Sequence, residues 1–258
     1  MLERRYKYLV LLATVLGFVA FTQAPASEPA SPAIEVKFFL NPSRVLDTNY
    51  QPNDSLRAAF NVAKEVEKKP VAMRMQFLDG PNLELSKEGW NIRLRKVQGQ
   101  GQTELTYKRR YPVDGALDAA RAKAARDGFD AAAASDYESE LEWGYQRQTL
   151  TFANEKRAGD VAEPSLTLPS AGEARQLVAG DKMPDKLRHW KEEGWAKRIL
   201  SGACLYGPVA GWRWRGSHAI IDGDIVIEVW TLPSAERTGT EHIVEISGLR
   251  IIDVFDRR

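Results

Sequence analysis

Residues 90–111 read WNIRLRKVQGQGQTELTYKRRY, two alternating runs joined by a Gly/Gln-rich stretch, and they predict a β-hairpin. Because successive strand side chains point to opposite faces of a sheet, the hairpin has one apolar side and one side with four cations. The apolar side carries Ile92, Leu94, Leu105 and Tyr107, and the cationic side carries Arg93, Arg95, Lys108 and Arg110. The cations either lie in solvent or, if the sheet curls around them, line a cavity for an anion.

The composition is that of a globular protein long enough for one sizeable core: 258 residues, 43% hydrophobic and 28% charged. The formal net charge is +1. Since the first 26 residues contain three cations and one glutamate, the remainder is also close to neutral. A nearly neutral chain has no overall field that attracts nucleic acid, so no nucleic-acid partner is expected. Anion binding would have to come from local clustering of cations.

The first 26 residues predict a secretory signal peptide. MLERRYK supplies a positive segment, YLVLLATVLGFVAF an apolar segment, and Ala24-Pro25-Ala26 a cleavage site. The apolar run is shorter than the roughly 20 residues that a membrane-spanning helix needs. We therefore expect a secreted protein without membrane association after cleavage, with an uncleaved signal-anchor as the alternative. Residues 27–33 form a linker, and residues 34–258 the folded domain.

Two single residues carry further expectations. Cys204 is the only cysteine, which excludes an intrachain disulfide and a thiolate zinc site, and its apolar neighbours predict a buried thiol. Asn53-Asp54-Ser55 matches the N-glycosylation sequon, and Asn53 is therefore a glycosylation candidate. The oligomeric state is open.

Alternating and helical periodicities divide the rest of the chain into strands and helices. Besides the hairpin, strands are predicted at 34–40, 71–78, 137–152, 203–207, 211–216, 225–232 and 241–247. Helices are predicted at 54–69, with Asp54 as the N-cap, at 115–134 and in pieces over 173–200, and residues 155–171 read as a loop. The result is an α+β fold with eight or nine strands.

The polar faces of these strands are unusually rich in Arg and Glu and poor in Ser and Thr. They carry Glu35, Lys37, Arg74, Arg93, Arg95, Lys108, Arg110, Glu140, Glu142, Arg213, Arg215, Glu228 and Glu245. A closed eight-stranded antiparallel β-barrel flanked by helices would place one such face in its lumen, as a tunnel. Amphipathic hairpins with solvated charges are the alternative.

The succession IEVKFFL, GWNIRLRK with ELTYKRR, IVIEVW and IVEIS resembles the CYTH domain, the fold of the triphosphate tunnel metalloenzymes. The resemblance covers residue 34 to about 250. The family has an ExExK first strand, an R-x-R strand paired with a Lys-bearing strand, and acidic late strands. Arg93, Arg95 and Lys108 match the hairpin motif, whereas Ala33 and Ser247 stand where the family has carboxylates.

The resemblance implies a phosphate-containing anionic small molecule as the ligand, with Mg²⁺ or Mn²⁺ as the cofactor. The implied phosphate-binding residues are Lys37, Arg93, Arg95, Lys108, Arg110 and Arg213, and the implied metal ligands are Glu35 and Glu245, with Glu228 as a further ligand. Glu140 and Glu142 are interpreted as balancing the arginines, with substitution for a missing metal ligand as the alternative, and no catalytic residue is assigned. Two functions stay open. The chain is either a metal-dependent hydrolase of a triphosphate or polyphosphate-type substrate, or a non-catalytic anion-binding or interaction protein that lost full metal ligation.

Overall fold

The computed structural model describes residues 33–62, 70–129, 137–145, 147–159, 165–180, 202–218, 221–233 and 240–249. All of them belong to one compact unit, Ser31–Arg258. The strands are β1 (Ala33–Leu40), β2 (Val71–Asp79), β3 (Trp90–Val97), β4 (Thr103–Pro112), β5 (Glu138–Trp143), β6 (Gln148–Ala158), β7 (Cys204–His218), β8 (Ile221–Pro233) and β9 (Thr240–Leu249). The helices are α1 (Pro42–Val45), α2 (Asp54–Ala59), α3 (Glu84–Lys87), α4 (Leu117–Arg126) and α5 (Ala171–Gly180).

The predicted signal peptide at 1–26 lies outside the described residues, as does all of the linker except residue 33. Within the described ranges, none of the helices combines the length and the apolar character that crossing a bilayer requires.

The strands close into a barrel in the order β1-β5-β6-β4-β3-β2-β7-β8-β9, with β9 paired to β1. The prediction of eight antiparallel strands is wrong in two respects. The described barrel has nine strands. The segment predicted as one strand at 137–152 folds back on itself as β5 and β6, with Gly144 N–H donating to Arg147 O, whereas two predicted strands are joined in β7. The sheet is also mixed, because β1 pairs with β5 in parallel. No hairpin connects these two strands, so nothing local fixes their relative direction.

Several predicted boundaries also move. β6 continues to Ala158 into the predicted loop at 155–171, and the predicted strands 203–207 and 211–216 are parts of the single strand β7. α4 and α5 confirm helix within 115–134 and 173–200, but residues 130–136 and 181–201 lie outside the described ranges. Cys204 is exposed rather than buried. Its neighbours Ala203 and Leu205 pack in the core, so strand alternation turns the Cys204 side chain to the opposite face.

Asn53, not Asp54, is the N-cap of α2. Its side-chain oxygen accepts a hydrogen bond from Leu56 N–H at 3.0 Å, and its Nδ2 donates to Arg44 O at 2.9 Å. The first of these bonds satisfies a free N–H of the first helical turn, and the second ties the cap to the carbonyl of Arg44. The helix ends at Ala59, earlier than predicted, and Asn61 follows with a left-handed φ of 45°. Glycosylation of Asn53 stays a prediction.

The apolar side of the β3–β4 hairpin faces outward, away from the barrel lumen. Trp90, Ile92 and Leu94 on β3 are almost fully buried in an external core. Ala120 and Ala124 of α4 belong to the same core, and their small side chains let the helix backbone approach the sheet. Burying each large side chain contributes about 1.5–3 kcal/mol. Because this side is covered by helix, the cationic side of the hairpin points into the lumen.

β2 has the opposite orientation from the one predicted. Met73 and Met75 lie across from Val97 and Arg95 of β3 and face the lumen, whereas Arg74 on the outer face is exposed. Alternation separates the two faces of a strand but does not say which one turns inward. Arg74 therefore does not belong to the polar lumen wall.

Candidate functional site

The arginines of the hairpin form a compact network on the lumen wall. Arg95 Nε donates to Glu104 Oε2 at 2.5 Å, directly across the β3–β4 pair. Arg93 Nη2 donates to Thr106 Oγ1 at 3.1 Å and to Glu155 Oε2, on β6, at 3.2 Å. Three neighbouring strands thus hold both guanidinium groups in place. Alternation within the hairpin puts Glu104 on the cationic side, whereas Glu155 falls in the predicted loop at 155–171, and only the strand pairing shows that it faces the arginines.

Arg93 has unused binding capacity. Its Nε is buried and has no hydrogen-bond partner among the described residues. Burial and the neighbouring Arg95 lower the pKa of Arg93 to about 10. A buried guanidinium with a free donor and a like charge beside it is stabilised by an anion at hydrogen-bond distance. The Arg93–Arg95 pair is therefore the part of the lumen best suited to an anionic oxygen.

A second cluster joins two lysines to three glutamates. Lys37 Nζ lies 2.8 Å from Glu35 Oε2 and 3.1 Å from Glu142 Oε1. Lys108, from β4, contacts the same Oε1 of Glu142 and lies 3.6 Å from Glu140 Oε2. The parallel β1–β5 pair places Glu35 opposite Glu142, and β4 lies two strands from β5 in the barrel, next to β6. The cluster therefore depends on contacts distant in sequence.

The protonation equilibria of this cluster follow from burial and from the ion pairs. Burial alone would raise the pKa of Glu142, but Lys37, Lys108 and Arg110 together lower it to about 2. Burial raises the pKa of Glu140, and Lys108 opposes this only in part. Burial would lower the pKa of Lys37, but Glu142 and Glu35 outweigh it and raise that pKa. The Lys37–Glu142 pair is thus ionised over a wide pH range.

The donor set fits a hard divalent cation. Glu35, Glu140 and Glu142 each offer a carboxylate oxygen, and these oxygens lie within 4.8 Å of one another. Oxygen donors of this kind suit Mg²⁺ or Mn²⁺. Glu140 lies directly opposite Ala33 in the β1–β5 register, so the neighbouring strand supplies a carboxylate beside the position where residue 33 has none. Glu140 and Glu142 are interpreted from the sequence mainly as counter-charges, and the sequence does not predict that their carboxylates lie beside that of Glu35.

The other predicted site residues lie on the same wall but outside this trio. Glu245 lies opposite Glu228 across the β8–β9 pair, and burial raises the pKa of Glu245. Glu228 accepts from Arg213 Nε at 2.8 Å and lies 2.6 Å from Arg213 Nη2. Arg110 lies 3.5 Å from Glu142 and is half-exposed. Metal ligation by Glu245 and Glu228, and phosphate binding by Arg213 and Arg110, stay predictions.

Comparison with known proteins gives structural neighbours only. No family model matches the chain, and no curated protein matches its sequence. A protein from Hippeastrum, described as an adenylyl cyclase candidate with a dominant triphosphatase activity, is 12% identical with a TM-score of 0.44, over 84% of this chain and 79% of that one. An adenylate cyclase candidate from Bacillus halodurans is 12% identical with a TM-score of 0.42, over 84% and 81%. Another from Vibrio parahaemolyticus is 12% identical with a TM-score of 0.36, over 86% and 79%.

Adenylate cyclases and triphosphatases are among the proteins that the CYTH resemblance implies. The barrel is defined by the strand pairing of the chain itself.

Proposed function

We propose that the barrel lumen binds an anionic phosphate compound of the triphosphate or polyphosphate type together with Mg²⁺ or Mn²⁺. The observation that supports this most directly is the spare, buried Nε donor of Arg93 beside Arg95 on β3, in the same barrel as the three carboxylates of Glu35, Glu140 and Glu142 on β1 and β5. Arginines bind phosphate oxygens by paired hydrogen bonds, and clustered carboxylates bind the cation that accompanies the phosphate.

The charge balance favours a ligand that arrives with a cation. In the ion pairs of the described lumen residues, six cations face six glutamates: Lys37, Arg93, Arg95, Lys108, Arg110 and Arg213 face Glu35, Glu104, Glu140, Glu142, Glu155 and Glu228. This network has no excess of positive charge. A polyanion alone would displace glutamates from their partners and leave them buried without compensation, which is costly. A divalent cation at the carboxylates removes this penalty.

The proposed roles follow from position. Arg93 and Arg95 bind phosphate oxygens. Glu35, Glu140 and Glu142 would hold the divalent cation, and Lys37 and Lys108 would then be available to the phosphate. A bound divalent cation would supply charge neutralisation at the phosphate oxygens. In hydrolysis, these cationic side chains would stabilise the charge that develops during in-line attack by water. No side chain is assigned as a catalytic base.

The second candidate function is binding without catalysis. Ala33 and Ser247 lack the carboxylates that the family resemblance implies, and this favours a lumen that binds but does not turn over its ligand. Phosphate release from tripolyphosphate, measured with the purified protein and Mg²⁺ or Mn²⁺, separates the two. Release that Arg93→Met abolishes supports a hydrolase, and metal-dependent binding without release supports a binder.

The control for this experiment is Arg74→Met. Arg74 is a cation of the same barrel but lies on its exposed outer face, so its replacement should leave phosphate binding and release at the wild-type level. Absence of both binding and release with either metal would contradict the proposed function.

We also propose that the protein is exported. The support is the sequence of residues 1–26, with tethering by an uncleaved segment as the alternative. Amino-terminal sequencing of the protein recovered from its host tests this: a chain beginning at Ser27 indicates cleavage, and one beginning at Met1 indicates retention.

A further inference from the structure

An apolar row crosses four neighbouring strands on the inner side of the barrel. Val97 lies opposite Met73, Met73 opposite Gly211, and Gly211 opposite Trp230. One buried cluster contains Val97, Met73 and Trp230. It is separate from the core outside β3 and β4 and from a second core that includes Trp214 and Ile227. The row thus forms an apolar wall that runs from β3 through β2 and β7 to β8.

This row borders the charged wall directly. Trp230 is two residues from Glu228 on β8, and Gly211 is two residues from Arg213 on β7, so both share the face of that ion pair. Val97 is likewise two residues from Arg95 on β3. On β3, β7 and β8 the lumen face therefore changes from charged to apolar side chains at this row, and on β2 the lumen face is apolar at both levels.

Gly211 is what allows the Trp230 indole to occupy its place. A Cβ at position 211 would lie 2.3 Å from Cε3 and 2.5 Å from Cζ3 of Trp230. Carbon atoms do not approach this closely, so the ring can rest against the β7 backbone only because residue 211 has no side chain. Any larger residue there would push the indole toward the centre of the lumen.

We propose that Trp230, seated on Gly211, sets the length of the phosphate chain that the lumen accepts. The inference rests on the proposed function. The apolar cluster offers no donor to phosphate oxygens, and a desolvated phosphate beside it would lose its hydration without compensation. The ligand is therefore confined to the charged part, whose extent ends where Trp230 and Met73 begin.

The test compares two variants with opposite expected effects. Affinities for pyrophosphate, tripolyphosphate and tetrapolyphosphate are measured by calorimetry in the presence of Mn²⁺. Trp230→Ala opens space and should shift the preference toward the longer chain by about tenfold relative to wild type. Gly211→Ala drives the ring inward and should weaken the longest chain first.

The control is Trp212→Ala. Trp212 is on β7 next to Gly211 but on the outer face and exposed, so its removal should leave the length preference unchanged. Trp230→Phe keeps an apolar ring but is smaller than the indole, so it should shift the preference in the same direction as Trp230→Ala and by less. It provides a folded variant if Trp230→Ala does not fold.

The outcomes separate this inference from the proposed function. If wild type binds these phosphates but neither Gly211→Ala nor a folded substitution at Trp230 changes the length preference, the role of Trp230 is contradicted and the proposed function stands. If Trp212→Ala shifts the preference as much as Trp230→Ala, the role of Trp230 is likewise contradicted. If wild type binds none of them, the proposed function fails and this inference fails with it.

Discussion

Lys37 and Glu142 lie on the parallel strands β1 and β5, and Lys37 Nζ is 3.1 Å from Glu142 Oε1. Lys108 of β4 contacts the same oxygen, so one carboxylate is the shared partner of two lysines. A cation that binds Glu142 through this oxygen must displace both ammonium groups. The displaced lysines are then available to an anion. We therefore expect that metal binding and phosphate binding reinforce each other.

Replacing Glu142 by Gln should uncouple the two ligands. The variant loses one metal ligand, so its affinity for Mn²⁺ should fall by tenfold or more, on the order of 1.4 kcal/mol. Its two lysines lose their shared counter-charge, so tripolyphosphate without metal should bind more tightly than it does to wild type. Calorimetric titration with each ligand alone and with both together measures these changes.

The matched control is Glu138→Gln, a change to an exposed glutamate on the same strand. It should leave both affinities close to wild type. If Glu142→Gln binds metal as tightly as Glu138→Gln does, the assignment of Glu142 to the cation site is wrong.

Glu142 should also make the stability of the fold depend on pH in the acid range. Its pKa in the folded protein is about 2, below the ordinary value of 4.5. A carboxylate with a lowered pKa stabilises the fold above its ordinary pKa, and this contribution disappears as the pH falls toward the folded value. The difference in unfolding free energy between wild type and Glu142→Gln should therefore shrink as the pH falls from about 4.5 to about 2. Urea denaturation at a series of pH values measures it.

Two other glutamates act in the opposite direction. Burial raises the pKa of Glu140 and of Glu245, so protonating these groups relieves an unfavourable charge and stabilises the fold as the pH falls. Comparing wild type with Glu142→Gln cancels this background to first order. A difference in unfolding free energy that stays constant across this range would show that Glu142 is not held ionised by its neighbours.

Arg95 should matter for stability as well as for binding. Arg95→Met leaves Glu104 buried without its main partner, a loss that typically costs about 3–5 kcal/mol. The double variant Arg95→Met/Glu104→Leu removes both charges and should recover most of this loss. Urea unfolding measures the free energies. Arg121→Met, which breaks the exposed pair with Asp118, should lower the unfolding free energy by less than about 1 kcal/mol. Equal losses in Arg95→Met and Arg121→Met would contradict the claim that burial makes the Arg95–Glu104 pair more important.

Asn53 is predicted to serve the helix cap whether or not it is glycosylated. Asn53→Ala removes the cap of α2 and should lower the unfolding free energy by about 1 kcal/mol. Ser55→Ala destroys the same sequon without touching the cap, so it should leave the stability of the unglycosylated protein unchanged. Thermal or urea unfolding of both variants from a non-glycosylating host distinguishes the two roles, and equal effects would exclude the cap as the cause.

The local pattern of the chain was sufficient to predict most strands and the orientation of the main hairpin. Alternation at 90–111 placed Arg93 and Arg95 on one side, and the helices that cover the other side make that side the lumen. The same reasoning placed Arg74 on the polar wall, and the structure puts it outside. In a barrel packed on both faces, either face of a strand can be buried. Alternation alone therefore does not determine which face of the strand points into the lumen.

The carboxylate trio could not be predicted because it depends on long-range pairing. Glu140 and Glu142 join Glu35 only through the parallel β1–β5 contact, which connects strands about 100 residues apart. The single strand predicted at 137–152 contains the turn between β5 and β6, and this turn was not predicted from the sequence.

The most direct test is a calorimetric titration of tripolyphosphate into the wild-type protein with and without Mn²⁺, repeated with Arg93→Met and Arg74→Met. We expect one tripolyphosphate bound per chain, with an affinity at least tenfold higher in the presence of Mn²⁺. This binding should be lost in Arg93→Met and unchanged in Arg74→Met. Absence of binding in wild type, or equal losses in both arginine variants, would contradict a phosphate site inside the barrel.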